Sequence, residues 1–191
     1  MTRVQLFPHP ATPAAQVNSL DVAIALADGG GLQVHFDCRC PAGALRLPPA
    51  RRSEAADELW RHTCCELFAG AAGAAAYREF NWSPSGLWAA YSFSDYRVLD
   101  ASAPNMNLAA PRIAFATDSA GWTLTARLDA SALPIAAAGA IELGVAAVLE
   151  AADGSLSYWA LQHAAPRPDF HRRESFVLRR GEAAGSTGNA S

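Results

Sequence analysis

Glu66 stands inside the apolar run Thr63-Cys64-Cys65-Glu66-Leu67-Phe68, and a carboxylate buried in such a strand needs a partner. Arg78, in the next segment Ala76-Tyr77-Arg78-Glu79-Phe80-Asn81-Trp82, offers the forked donor that suits a carboxylate. Two chemistries follow from these residue types. One is a purely structural ion pair between neighbouring strands, and the other is a polar patch that hydrogen-bonds a ligand. Glu66 and Glu79 also make a pair of the kind that glycoside hydrolysis uses, although spacing along the chain gives no separation in space.

The other chemistry-bearing residues are more scattered. His9, His35, His62, His163 and His171 lack a spacing that would gather three on one metal. His163 and His171 share one loop, Gln162 to His171, with Pro166, Arg167, Pro168, Asp169 and Phe170, which leaves a metal between these two His as a minor alternative. In that loop Asp169 suits a clasp that accepts backbone N–H groups. Cys38-x-Cys40 and Cys64-Cys65 do not have zinc-finger spacing, and adjacent strand residues point to opposite faces. They are expected as reduced, buried thiols. There is no Walker loop, His-Glu-x-x-His or Gly-x-Ser-x-Gly, and Gly29-Gly30-Gly31 precedes a strand rather than a helix. No catalytic residue, metal ligand or cofactor is therefore assigned, and a binding protein is expected in preference to an enzyme.

The elements that must position these residues are strands almost throughout. Hydrophobic periodicity predicts them over 4–7, 20–26, 32–38, 63–68, 76–82, 87–93, 112–117, 122–128, 141–149, 156–161 and 175–179. Asp28-Gly29-Gly30-Gly31, Ser83-Pro84-Ser85-Gly86, Asp118-Ser119-Ala120-Gly121 and Asp153-Gly154 read as hairpin turns between them. The pattern predicts an all-β, antiparallel β-sandwich of immunoglobulin-like or jelly-roll-like type, with ten or eleven strands, over residues 1–180. Residues 181–191 are predicted to be a disordered tail. Helix signals are confined to Ser131–Ala138 and Glu54–Leu59, and the long loop from Pro41 to Asp57 stands out as a functional candidate. Strand parity puts Glu66 with Cys64 and Phe68, opposite Cys65 and Leu67. The same rule groups Arg78 with Phe80 and Trp82, and Tyr77 with Glu79 and Asn81.

Composition narrows the function classes. All 15 basic residues are Arg, the formal net charge is −3, and no basic stripe for a phosphate backbone stands out. No apolar run has signal-peptide or membrane-span length. The expectation is a cytoplasmic protein, monomeric or weakly dimeric, with neither nucleic acid nor membrane as partner.

Leu59-Trp60-Arg61-His62-Thr63-Cys64-Cys65-Glu66-Leu67-Phe68 resembles a strand motif of family 9 carbohydrate-binding modules and the wider DOMON-like superfamily, with a Glu six residues after a Trp. Ala76–Trp82, Tyr158-Trp159-Ala160-Leu161, Pro168-Asp169-Phe170-His171 and Ser175-Phe176-Val177-Leu178 are similar to later family segments, in order. His62-Thr63-Cys64, Phe80-Asn81-Trp82-Ser83-Pro84-Ser85-Gly86-Leu87-Trp88 and Pro168–His171 look like a bacterial DOMON-like subgroup of unsettled activity. The resemblance implies a carbohydrate or sugar-derived ligand on one sheet face. Trp60 and Phe170 would then be aromatic platforms, Glu66 an acceptor and Arg78 a donor, with His171, Asn81 and His163 beside them. Two other classes remain open. One is haem held by Met106 with His163 or His171, as in some DOMON domains, and the other is a structural or protein-interaction domain without a small ligand.

Overall fold

The computed structural model describes residues 1–102, 110–134 and 139–181, and these form twelve antiparallel strands. In chain order they are β1 (Thr2–Pro8), β2 (Ser19–Leu26), β3 (Leu32–Arg39), β4 (Cys64–Ala71), β5 (Tyr77–Trp82) and β6 (Trp88–Asp95). There follow β7 (Val98–Leu99), β8 (Arg112–Asp118), β9 (Gly121–Leu128), β10 (Ile141–Glu150), β11 (Leu156–Ala160) and β12 (Leu178–Arg180). The hydrogen-bonded order is β7-β6-β5-β4-β10-β11-β1-β2-β3-β9-β8, with β12 beside β11 on the far edge of β10. β1 joins the two layers. Its residues 2–6 pair with β2, while Phe7 and Pro8 pair with β11.

The two layers meet face to face, which makes the fold a β-sandwich. Val22, Val34, Phe36 and Leu124 from one layer share a core with Leu67, Phe80, Trp82 and Val145 from the other. The Phe36 and Trp82 rings lie 6.4 Å apart across that core. All four turns read from the sequence join neighbouring antiparallel strands: β2–β3, β5–β6, β8–β9 and β10–β11. The four cysteines are free thiols, all buried.

Several expectations need correction. Glu54–Leu59 is not a helix: Ala55 forms a bridge with Trp88, and only Leu59–Arg61 turns, as a 3-10 element. Helical structure in the Ser131 region is a 3-10 turn at Ala130–Ala132, and residues 135–138 lie outside the described part. The closing segment is a 3-10 turn at Arg173–Ser175 followed by β12, which begins only at Leu178. β7 was missed altogether, because no Gly, Pro or Asn punctuates the Asp95-Tyr96-Arg97 turn before it. The tail and Met106 fall outside the described residues. Among those described, no helix is long and apolar enough to cross a membrane.

The layer made of β4, β5, β6 and β10 is buried on both faces. Its outer face carries a second apolar cluster of Phe68, Tyr77, Phe93, Ala146, Ala160 and Phe176, with Tyr91 and Phe170 packed on it. The chain from Pro168 to Phe176 is what covers this face. Two glycines make room for the cover: a Cβ on Gly144 would stand 2.8 Å from the Phe176 ring, and one on Gly70 would collide with the Arg173 guanidinium.

Candidate functional site

Between the outer face and its cover lies a cavity of about 350 Å³. Trp60, Tyr91, Phe93, Tyr158 and Phe170 supply aromatic wall, while Glu66, Glu79, Arg97, Asp169 and His171 supply the polar groups. Strand pairing explains why two carboxylates meet here. Glu66 is opposite Asn81 and Glu79 is opposite Phe68, so both project from the outer face of the β4–β5 pair. Both are nearly inaccessible, at 3% and 5% exposure.

Arg78 is not part of this group. It is opposite Ala69, on the inner face with Phe80 and Trp82, and its guanidinium donates to the carbonyls of Ser131 and Ala132. The expected Glu66–Arg78 pair does not form, for a reason contained in the parity rule: Arg78 and Asn81 are an odd number of positions apart and cannot share a strand face. The cation of the cavity is Arg97 instead. It sits in the β6–β7 turn with a left-handed backbone, φ 55°, unusual for a residue with a side chain. The local signal for it was faint, an apolar Val98-Leu99 pair after an aromatic strand.

Arg97 and the cover loop are tied together. Its guanidinium donates to Asp169 at 3.0 Å, and Asp169 also accepts from the Tyr96 hydroxyl, from Arg172 and from the His171 backbone N–H. Asp169 is thus the loop clasp that its residue type suggested. Burial would raise its carboxyl, but the hydrogen bonds from Tyr96 and Arg97 outweigh that and hold it below the usual range. The Arg97 backbone N–H donates to the Tyr77 hydroxyl at 3.1 Å, which lies 2.8 Å from His171 Nδ1. The hydroxyl thus accepts from Arg97 and pairs with Nδ1, which leaves Nε2 as the other ring nitrogen of His171. That nitrogen faces Glu79 across 3.7 Å, too far for a hydrogen bond.

The acid and base groups are held away from their ordinary charge states. Burial, then the Arg97 charge, pushes His171 down to about 4, so it is neutral at pH 7. Burial raises Glu79 to about 7, against the opposing pull of the Asn81 hydrogen bond and Arg97. Burial first, then repulsion from Glu79, raises Glu66 well above a normal carboxyl. Asn81 donates to Glu79 at 2.7 Å from behind the cavity wall, and its own Oδ1 is buried without a partner. Among the described residues, none donates a hydrogen bond to the Glu66 carboxyl.

Of the other expected residues, Trp60, Phe170 and His171 line the same cavity as Glu66. Trp60 is 40% exposed on the 3-10 turn before β4 and packs edge-on to Tyr91, ring centres 6.0 Å apart. Phe170 packs on Phe68 and Tyr158. His163 is outside the cavity lining, bonded through Nε2 to the Phe7 carbonyl and packed against His9. The Pro41–Asp57 loop borders a separate, charged cleft, where Arg46 and His62 both contact Glu150. Among the described residues, no group of three or more His, Cys, Asp or Glu is gathered for a metal ion.

No protein-family model and no curated protein sequence matches the chain. A solved structure from Bacteroides uniformis, provisionally described as a carbohydrate-binding protein, is similar in fold. It superposes with a TM-score of 0.56 over 90% of this chain and 84% of its own, at 12% identity. At that identity the likeness speaks for the architecture alone.

Proposed function

We propose that the cavity binds a carbohydrate or sugar-derived ligand and releases it unchanged. The observation that carries this reading is the single 350 Å³ space combining aromatic wall with buried carboxylates, a guanidinium and an imidazole. Sugars need such a mixture: their C–H faces lie on aromatic rings while planar charged groups hydrogen-bond their hydroxyls. The volume is in the range of about 300–1,000 Å³ that suits small-molecule sites. The carbohydrate-binding description of the Bacteroides uniformis protein and the DOMON-like and family 9 resemblance of the Trp60–Glu66 segment support the same ligand class.

The test is isothermal titration with a panel of mono- and oligosaccharides, with the mixtures then analysed for cleavage products. A sugar should bind, Trp60→Ala should weaken it by about tenfold through loss of an aromatic platform, and Arg78→Ala should leave it unchanged. Loss of binding in Arg78→Ala would mean that the ligand sits elsewhere. Product formation would replace the binding reading with a hydrolytic one built on Glu66 and Glu79.

A further inference from the structure

The cavity floor holds more carboxyls than cations. Three carboxyls line it, Glu66, Glu79 and Asp169, against one guanidinium, Arg97. Arg97 is committed to Asp169, which takes Arg172 as well. The nearby Arg173 is paired with Glu142 through Nη2, with its Nη1 buried and unpartnered, and Arg78 faces the other side of the sheet. The chain has no Lys to offer. Glu66 and Glu79 are therefore left as two buried carboxyls on adjacent strands that feel Arg97 without pairing to it, and among the described residues none donates a hydrogen bond to Glu66. Asn81 Oδ1, on the residue across the ladder from Glu66 but outside the cavity lining, also lacks a donor.

We infer that this floor is the seat of an ammonium group, so that on the sugar-binding reading the ligand is an amino sugar with a free, protonated amine. An ammonium brings three donors, no acceptor and one positive charge to a floor rich in acceptors and lacking a cation. The walls fit the rest of such a molecule, since an electron-rich ring face attracts a cation and also covers a sugar's C–H face. A metal ion is the poorer occupant, because the floor gives two carboxylates where hard cations collect six or more oxygens, and the surroundings are apolar. Burial raises both carboxyls, and an arriving ammonium supplies the charge that draws them back to the ionised form.

The inference rests on the sugar-binding reading but is separable from it. Glucosamine, N-acetylglucosamine and glucose, with the matching galactose series and spermidine as a sugar-free ammonium, are titrated calorimetrically at pH 6.5. The expected result is an amino sugar bound at least about tenfold tighter than its acetylated and parent forms. That preference should disappear in Glu66→Gln and in Glu79→Gln, each checked for folding by its melting curve. Equal or tighter binding of the neutral sugars to the unmodified protein overturns the ammonium seat and leaves sugar binding standing. Spermidine binding without any sugar binding keeps the seat and overturns the sugar reading. Binding of neither class overturns both. Because the unmodified protein alone separates these outcomes, a variant that fails to fold does not blunt the test.

Discussion

The two layers of the sandwich use the same strand geometry and treat their outer faces in opposite ways. β3 and β9 alternate strictly between buried and half-buried or exposed residues, as a sheet with one wet face does. β4 is buried at seven consecutive positions and β10 at its last eight, so their outward residues are as dry as their inward ones. The difference comes from the Pro168–Phe176 cover and from Gly70 and Gly144, which admit it. A covered outer face can hold carboxyls out of water, and a wet face cannot. The candidate site therefore belongs to the layer whose outer surface has become a second core.

The comparison breaks most visibly at Phe68, an outward residue of β4 that touches Tyr77, His171, Phe170 and Phe176. Phe68→Ala should cost about 3–5 kcal/mol in urea or guanidinium unfolding, as for a ring removed from any sealed core. A loss under about 1 kcal/mol would mean that the cover does not seal this face.

The next effect is electrostatic. Glu79 is raised to about 7 in the folded protein against 4.5 in its absence, so the folded state holds the extra proton between those values. Its contribution to stability is complete below pH 4.5 and is lost as pH rises through 7. His171 has the opposite sign: lowered from 6.5 to about 4, it contributes fully above 6.5 and loses that contribution as pH falls through 4. The two nearly cancel between pH 4.5 and 6.5, and Glu66, raised like Glu79, leaves a net decline with rising pH. Glu79→Gln should make the decline shallower, leaving the part due to Glu66, and stabilise the protein at pH 7.5 by on the order of 2–3 kcal/mol. Melting curves from pH 4 to 8 check this, and an unchanged slope would show that Glu79 titrates as an ordinary surface carboxyl.

A smaller effect is expected where the cover is held down. Tyr77→Phe removes one hydroxyl that joins the Arg97 N–H to His171 Nδ1. The ring packing stays, including the stack on Phe93 with centres 4.7 Å apart. The expected cost is about 1–2 kcal/mol, with faster hydrogen exchange at the Arg97 amide. Exchange unchanged at that amide would remove Tyr77 from the clasp.

The contrast between layers also explains what the sequence revealed. Alternation such as Trp122-Thr123-Leu124-Thr125-Ala126-Arg127-Leu128 marks a one-sided strand directly, and β9 has that burial pattern. Parity within β4 and β5 was equally legible and already separated Glu66 from Cys65, and Glu79 from Arg78. The relative register of the two strands was not, because the same parities allow Glu66 to share a face with either set. Arg78 was the plausible partner by residue type; the ladder gives that place to the set containing Glu79 and Asn81. Arg97 was hidden for another reason. Its turn relies on a non-glycine residue at positive φ and on a contact with Asp169 72 positions away, and neither leaves a local signature.

The smallest effect is expected at an outward position on the other layer. Thr123 lies on β9 between Asp37 of β3 and Ala116 of β8, half-buried, on the face opposite Trp122 and Leu124. It has the same relation to the inner core that Phe68 has, one residue out of phase with the buried set. Among the described residues, no segment covers it in the way that Pro168–Phe176 covers Phe68. Thr123→Ala should therefore change stability by no more than about 0.5 kcal/mol, the scale of a surface substitution plus a small loss of β propensity. Urea unfolding of Thr123→Ala beside Phe68→Ala makes the comparison quantitative. If the Thr123 change cost several kcal/mol, the second layer would also be sealed on its outer side and would be equally able to shelter buried carboxyls.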